Sequence, residues 1–149
     1  MIAVDWGTSS LRIYRLDETG AVRARREAPS GIMNVAAGCF AETLEAQLGP
    51  WIDDAPIVMS GMIGSRQGWR EVPYAECPAG AAEIARGLRP IVWNAGRRRG
   101  WIAPGLSYRD ANGIPDVPKS HRMGCWILLS VLQSARLASR VAYRLLGLC

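Results

Sequence analysis

The stretch that most constrains this chain is its first, Ile2-Ala3-Val4-Asp5-Trp6-Gly7-Thr8-Ser9-Ser10-Leu11-Arg12-Ile13-Tyr14. A short apolar run delivers a carboxylate, then a glycine and three hydroxyl residues. A second run follows at once, with Leu11, Ile13 and Leu16 alternating with Arg12 and Tyr14. Two such runs around a Gly-Thr-Ser turn predict a β-hairpin. The turn also carries chemistry. Gly7 lets backbone come close to a ligand, and consecutive turn N–H groups form a concavity for an anion. The hydroxyls of Thr8, Ser9 and Ser10 add donors, and Asp5 sits at the strand end where it could hold a hydrated divalent cation. The guest that matches is a polyphosphate with magnesium.

At 149 residues the chain is one domain's worth, and at 49% hydrophobic it can build a core. The longest apolar patch, Trp126 to Leu132, is too short to span a bilayer, and no signal peptide is apparent. Cys39, Cys77, Cys125 and Cys149 are scattered without CxxC pairing, which fits a reducing cytoplasm better than disulfides or a zinc site. The net charge of +5 has one origin. No Asp or Glu follows Asp116, while Lys119, Arg122, Arg136, Arg140 and Arg144 do. The region before them is charge-balanced, and its aromatics are not interleaved with Lys and Arg, so nucleic acid is not the expected partner.

Along the chain, Asp17-Glu18-Thr19-Gly20 reads as a turn and Ala21 to Glu27 as a third strand, an edge kept soluble by Arg23, Arg25 and Arg26. Pro29-Ser30-Gly31 breaks the chain. Phe40 to Leu48 is predicted helical, with Phe40, Leu44 and Leu48 on one side and Glu42 and Glu45 on the other; Gly49-Pro50 stops it. Pro56 to Gly61 is the best buried-strand candidate, and it runs into the small-residue loop Ser60-Gly61-Met62-Ile63-Gly64-Ser65. In an open α/β sheet ligands sit at such carboxyl ends of strands. Ser60, Ser65, Arg66 and Gln67 suit a hydroxylated, carboxylated small molecule. Ala79 to Leu88 reads as a helix, Ile91 to Trp93 as a strand and Arg97 to Arg99 as a surface turn. Trp101 to Leu106 reads as a last strand and turn before a polar loop to Asp116. Through Trp93 the order is strand, strand, strand, helix, strand, helix, strand. This is the pattern of one half of an actin-like, hexokinase-type domain: an α/β fold whose mixed sheet starts with an antiparallel three-strand meander.

Several ordered stretches together resemble the N-terminal part of the 2-dehydro-3-deoxygalactonokinase family. They are Asp5-Trp6-Gly7-Thr8-Ser9-Ser10-Leu11-Arg12, Val58-Met59-Ser60-Gly61-Met62-Ile63-Gly64-Ser65, and Gly68-Trp69 followed by Val72-Pro73-Tyr74. Cys77-Pro78-Ala79 and Ile102-Ala103-Pro104-Gly105-Leu106 complete the set. The resemblance implies a ribonuclease H-like, actin-like ATPase fold and a cytoplasmic kinase of galactonate catabolism. Such an enzyme uses ATP and Mg2+ to phosphorylate 2-dehydro-3-deoxy-D-galactonate. It further implies that Asp5 holds hydrated magnesium and that Gly7, Thr8, Ser9 and Ser10 approach the ATP phosphates. Arg12 is either a charge neutraliser or structural. Ser60, Gly61, Met62, Ile63, Gly64, Ser65 and Trp69 would shape the sugar-acid pocket.

The resemblance covers residues 1–117, the expected N-terminal subdomain, and stops after Val117, at Pro118-Lys119-Ser120-His121-Arg122-Met123-Gly124. After Val117 the family would continue with an acidic segment suited to a general base. That segment is absent from this sequence, so no catalytic residue is assigned. The expectation is an incomplete, inactive fragment, with a missing C-terminal domain or self-association completing it. Residues 118–149 form a divergent basic tail with two readings. One is a frameshifted continuation. The other is a helix with Arg136, Arg140 and Arg144 on one face, serving a non-enzymatic binding module.

Overall fold

A computed structural model describes residues 1–52, 55–109 and 115–116. The opening runs form the predicted hairpin: β1 (Ile2–Trp6) pairs antiparallel with β2 (Leu11–Leu16), Asp5 facing Arg12 and Trp6 facing Leu11. β3 (Val22–Ala28) adds antiparallel to β2 and is the sheet edge, as expected. The Asp17 turn between β2 and β3 is closed by its own carboxylate. Oδ1 accepts from the Thr19 hydroxyl (2.7 Å) and from the Thr19 and Ala21 amides, and Oδ2 accepts from Arg23 Nε (2.7 Å).

The Thr19 hydroxyl and then these other donors hold the Asp17 carboxyl down from its ordinary 3.8 to about 2. The folded value lies below the unfolded one, so its stabilisation is present above the unfolded pKa and is lost as pH falls toward 2. A carboxylate NMR titration should therefore place the Asp17 midpoint near 2. Thr19→Val should raise it toward the ordinary value, and an unchanged midpoint would discount the hydroxyl.

The arginines of β3 have individual partners. Arg26 lies over the Trp51 ring, 4.1 Å from its centroid, and donates to the Gln47 and Leu48 carbonyls (3.1 and 2.8 Å). Those carbonyls end α1 (Phe40–Leu48), where a cation complements the helix dipole. Helix α1 buries Phe40, Leu44 and Leu48 as its spacing predicts. Glu45 differs from its expected outward role: its carboxylate accepts from Trp93 Nε1 at 2.9 Å.

β4 (Ile57–Gly61) returns parallel to β1, so α1 lies on the crossover between β3 and β4. β7 (Arg98–Ile102) runs parallel to β4 on its other side, and β6 (Arg89–Trp93) pairs antiparallel with β7. The resulting mixed six-stranded sheet has the order β3-β2-β1-β4-β7-β6. β1, central in it, is buried on both faces. Alternation sends Ile2, Val4, Trp6, Ile57 and Met59 into one core with α1. Val58 and Ala103 meet Ile84 of α2 (Ala81–Gly87) in a second cluster. A small sheet of β5 (Ala75–Glu76), β8 (Leu106–Arg109) and β9 (Pro115–Asp116) completes the described chain.

Two expectations need correction. Of Arg97 to Arg99 only Arg97 lies in the turn, its amide donating to the Asn94 carbonyl at 3.0 Å: the reversal is made by Asn94, Ala95 and Gly96, all at positive φ, and Arg98 and Arg99 open β7. The stretch after Leu106, read as a polar loop, contains β8 and β9. The description ends at Asp116, one residue before the expected subdomain boundary at Val117. Val117 and residues 118–149 lie outside the described residues. The boundary, the expected loss of a catalytic acidic segment after Val117 and both readings of the tail lie there with them. Among the described residues no helix is long and apolar enough to cross a membrane.

Candidate phosphate and cation site

The parallel strands β1 and β4 end together, and their register sets Asp5 beside Ser60 and Trp6 beside Gly61. This places Asp5, the Gly7–Ser10 turn and the Gly61–Ser65 loop at one sheet edge, where crossover connections leave a crevice in α/β folds. The turn itself is held from behind. Gly7 N–H donates to the Ser10 carbonyl (2.9 Å), while the Ile32 and Met33 amides donate to the Gly7 and Thr8 carbonyls (3.0 and 3.1 Å). Trp6, fully buried, donates its indole N–H to the Ser30 carbonyl at 2.8 Å. These bonds draw Pro29-Ser30-Gly31 against the turn. A Cβ on Gly31 would stand 2.3 Å from both Ser9 C and the Thr8 carbonyl oxygen, so only glycine fits that crossing.

Three of the turn's carbonyls, those of Gly7, Thr8 and Ser10, are thus engaged, and its amides are what it has left to offer. Those of Thr8, Ser9 and Ser10 have no acceptor among the described residues, and Thr8 and Ser9 are exposed. Successive unengaged N–H groups with hydroxyls beside them form an anion-binding concavity.

Asp5 is only 6% exposed. Arg12, directly across on β2, donates from Nη1 to Asp5 Oδ2 at 3.2 Å, and its Nε donates to Glu27 Oε1 on β3 at 2.9 Å. Burial works against the Arg12 charge. The hydrogen bond to Asp5 and the charges of Glu27 and Asp5 outweigh it, so the guanidinium holds its proton more tightly than usual. Gly61 abuts the same carboxylate at φ +99°, and a Cβ there would stand 2.7 Å from the Trp6 carbonyl oxygen and 3.3 Å from Asp5 Oδ1.

The other predicted site residues divide. Gly61, Met62, Gly64 and Ser65 are part-exposed in the loop, whereas Ile63 is fully buried in the main core. The Ser60 side chain is buried, its hydroxyl facing the Val4 carbonyl at 3.5 Å, and the Ser65 hydroxyl donates to the Met62 carbonyl at 2.7 Å. Trp69 stacks on Phe40 (centroids 6.2 Å apart) and meets Trp93 (5.4 Å), continuing an aromatic row that starts at Trp6. It packs with the α1-side core, whereas alternation aims Asp5 at the opposite face of the sheet. Sequence reasoning missed Glu27 and Gly31. The first was read only as the end of the edge strand, and the second only as part of a chain break.

Among the described residues no three His, Cys, Asp or Glu side chains gather into a metal cage. One carboxylate beside a turn with unengaged amides suits magnesium, which keeps several waters and is commonly held by one or two carboxylates plus substrate phosphates.

A sequence model of the family "2-keto-3-deoxy-galactonokinase" matches residues 5–119. This chain belongs to that family. One relative, "Probable 2-dehydro-3-deoxygalactonokinase DgoK1" of Rhizobium meliloti (strain 1021), is 43% identical over 117 residues, covering 77% of this chain and 37% of the relative. The 2-dehydro-3-deoxygalactonokinase of Escherichia coli (strain K12) is 31% identical over 106 residues, 70% of this chain and 34% of that protein. A crystal structure from Sinorhizobium meliloti, of a protein assigned as a candidate 2-dehydro-3-deoxygalactonokinase, matches with TM-score 0.65 and 42% identity. That match covers 78% of this chain and 38% of the other. The matched part of this chain thus spans little more than a third of the length of these family members.

Proposed function

We propose that this chain supplies the phosphate-binding wall of an ATP-dependent kinase for 2-dehydro-3-deoxy-D-galactonate, an enzyme of cytoplasmic galactonate catabolism. The observation that carries the reading is the joint placement, at the ends of parallel β1 and β4, of Asp5 and the Thr8, Ser9 and Ser10 amides, which have no acceptor among the described residues. Membership of the galactonokinase family supports the substrate class. The order β3-β2-β1-β4, antiparallel then parallel, supports reading the sheet as one half of an actin-like fold.

Phosphoryl transfer asks a protein mainly to position groups and offset charge. On this reading the Thr8, Ser9 and Ser10 amides and hydroxyls grip the phosphates of ATP, and Gly7 allows their close approach. Asp5 receives hydrated Mg2+, which when bound neutralises charge developing on the phosphates. Arg12 offsets the Asp5 charge and stands beside the phosphate path. The Gly61–Ser65 loop borders the sugar acid. Closing the cleft, excluding water and removing the acceptor proton fall to the region that the relatives carry beyond the matched residues.

Two assays with Mg2+·ATP and 2-dehydro-3-deoxy-D-galactonate test this. The chain by itself should give no turnover above background. A full-length chimaera, with residues 1–117 replacing the matching segment of the Rhizobium meliloti relative, should phosphorylate the acid. Robust turnover by the chain alone would overturn the one-wall reading, and a folded but inactive chimaera would overturn the kinase reading.

A further inference from the structure

Ser60, Asp5, Arg12 and Glu27 form one row across four adjacent strands, each directly opposite the next in register. The row has a direction. Its inner end is buried, with Ser60 at 2% and Asp5 at 6% exposed, and its outer end, the Glu27 side chain, is 43% exposed on the edge strand. Arg12 spans the middle with two different nitrogens, Nη1 on Asp5 and Nε on Glu27. Glu27 divides its oxygens in the same way: Oε1 takes Arg12 and Oε2 takes Arg25, whose guanidinium lies over Tyr14.

A guanidinium held at Nε has its plane fixed, so the direction of its two terminal nitrogens is fixed too. Without Glu27, Arg12 could fold over Asp5 and occupy both carboxylate oxygens, the bidentate geometry that Arg and carboxylates prefer. With Glu27 in place, Arg12 reaches Asp5 through Nη1, at Oδ2. We infer that Glu27 is a positioning residue for the candidate phosphate and cation site, fixing the direction from which Arg12 meets Asp5. The inference rests on the phosphate reading above. It extends the site from the turn to the edge strand, two strands across the sheet from Asp5.

The test is calorimetric titration of the whole chain with Mg2+·ADP, for wild type, Glu27→Gln, Glu27→Ala and a distant carboxylate control, Glu83→Gln. Residues that orient a metal ligand from behind typically change affinity by roughly 10- to 100-fold when removed. Glu27→Gln, which keeps an acceptor for Nε, should therefore weaken binding several-fold, and Glu27→Ala by on the order of tenfold or more. Glu83→Gln should bind as wild type does. Loss of the ion pair alone moves the Arg12 Nε–Hε NMR signal, because Nε donates to Glu27; the readout that a merely structural role would leave still is the response of that signal to Mg2+·ADP. The signal should shift in both Glu27 variants and, in wild type, on adding Mg2+·ADP. Wild-type affinity in Glu27→Ala, or a loss matched by Glu83→Gln, would overturn the positioning role. A wild-type chain that binds no Mg2+·ADP would strike the phosphate reading first, and the inference with it.

Discussion

Gly61→Ala is expected to destabilise the chain by at least about 2 kcal/mol and to disturb the Asp5 carboxylate in the same step. Two effects add. At φ +99° an L-residue is strained, at a cost of roughly 1–3 kcal/mol. In addition, the new Cβ would meet the Trp6 carbonyl oxygen at 2.7 Å, and that atom belongs to the central strand and cannot swing aside. Gly38 separates the terms, because it has φ +82° but nothing within 4 Å of an added Cβ. Urea unfolding should thus show Gly38→Ala losing only the strain component and Gly61→Ala clearly more. Set against the roughly 5–15 kcal/mol that holds a typical domain together, the larger loss is substantial. Equal losses at the two positions would mean that β1 and β4 do not meet as closely as described.

Asp5→Asn should act on binding far more than on folding. The substitution keeps the side chain's shape, and Arg12 retains its bond to Glu27, so no cation is left buried without a partner. The folding cost includes weakening the charged hydrogen bond from Arg12, about 1–3 kcal/mol. Binding changes for a different reason. Among the described residues, the Asp5 carboxylate is the buried anionic group that the register sets directly beside the turn, and an amide cannot take its place toward a hard cation. Calorimetry should show Mg2+-dependent nucleotide binding lost in Asp5→Asn, with weak Mg2+-independent phosphate binding remaining at the turn amides. Undiminished Mg2+ dependence would remove Asp5 from the cation site.

Much of this could be read from local pattern. The opening hairpin and α1 follow from short-range periodicity, two residues in one case and nearly four in the other, and burial at Leu11, Ile13, Phe40, Leu44 and Leu48 matches it. What escaped depends on contacts between distant segments. Glu27 faces Arg12 only because a register shift at Arg15 and Leu16 resets the β2–β3 pairing, and counting along the chain does not reveal a bulge. Gly31 matters because it crosses the Thr8–Ser9 peptide, a contact between loops that no local window contains. The β6–β7 hairpin was misplaced for a compositional reason. Arg97 to Arg99 look like a solvated turn, yet Arg98 and Arg99 only precede the buried Gly100-Trp101-Ile102 half of their strand. Part of the loop after β4 was legible as small and glycine-rich. That its serine hydroxyls face backbone carbonyls was not.

The central claim is that the Gly7–Ser10 turn receives phosphate through its unengaged amides. Amide-resolved NMR of the chain during titration with Mg2+·ADP tests it most directly. The account predicts saturable shifts led by Thr8, Ser9 and Ser10, with Asp5, Arg12 and Gly61 following and the set much reduced in Asp5→Asn. Saturable shifts confined to another basic region, such as Arg97 to Arg99, or no saturable shift at the turn, would contradict it.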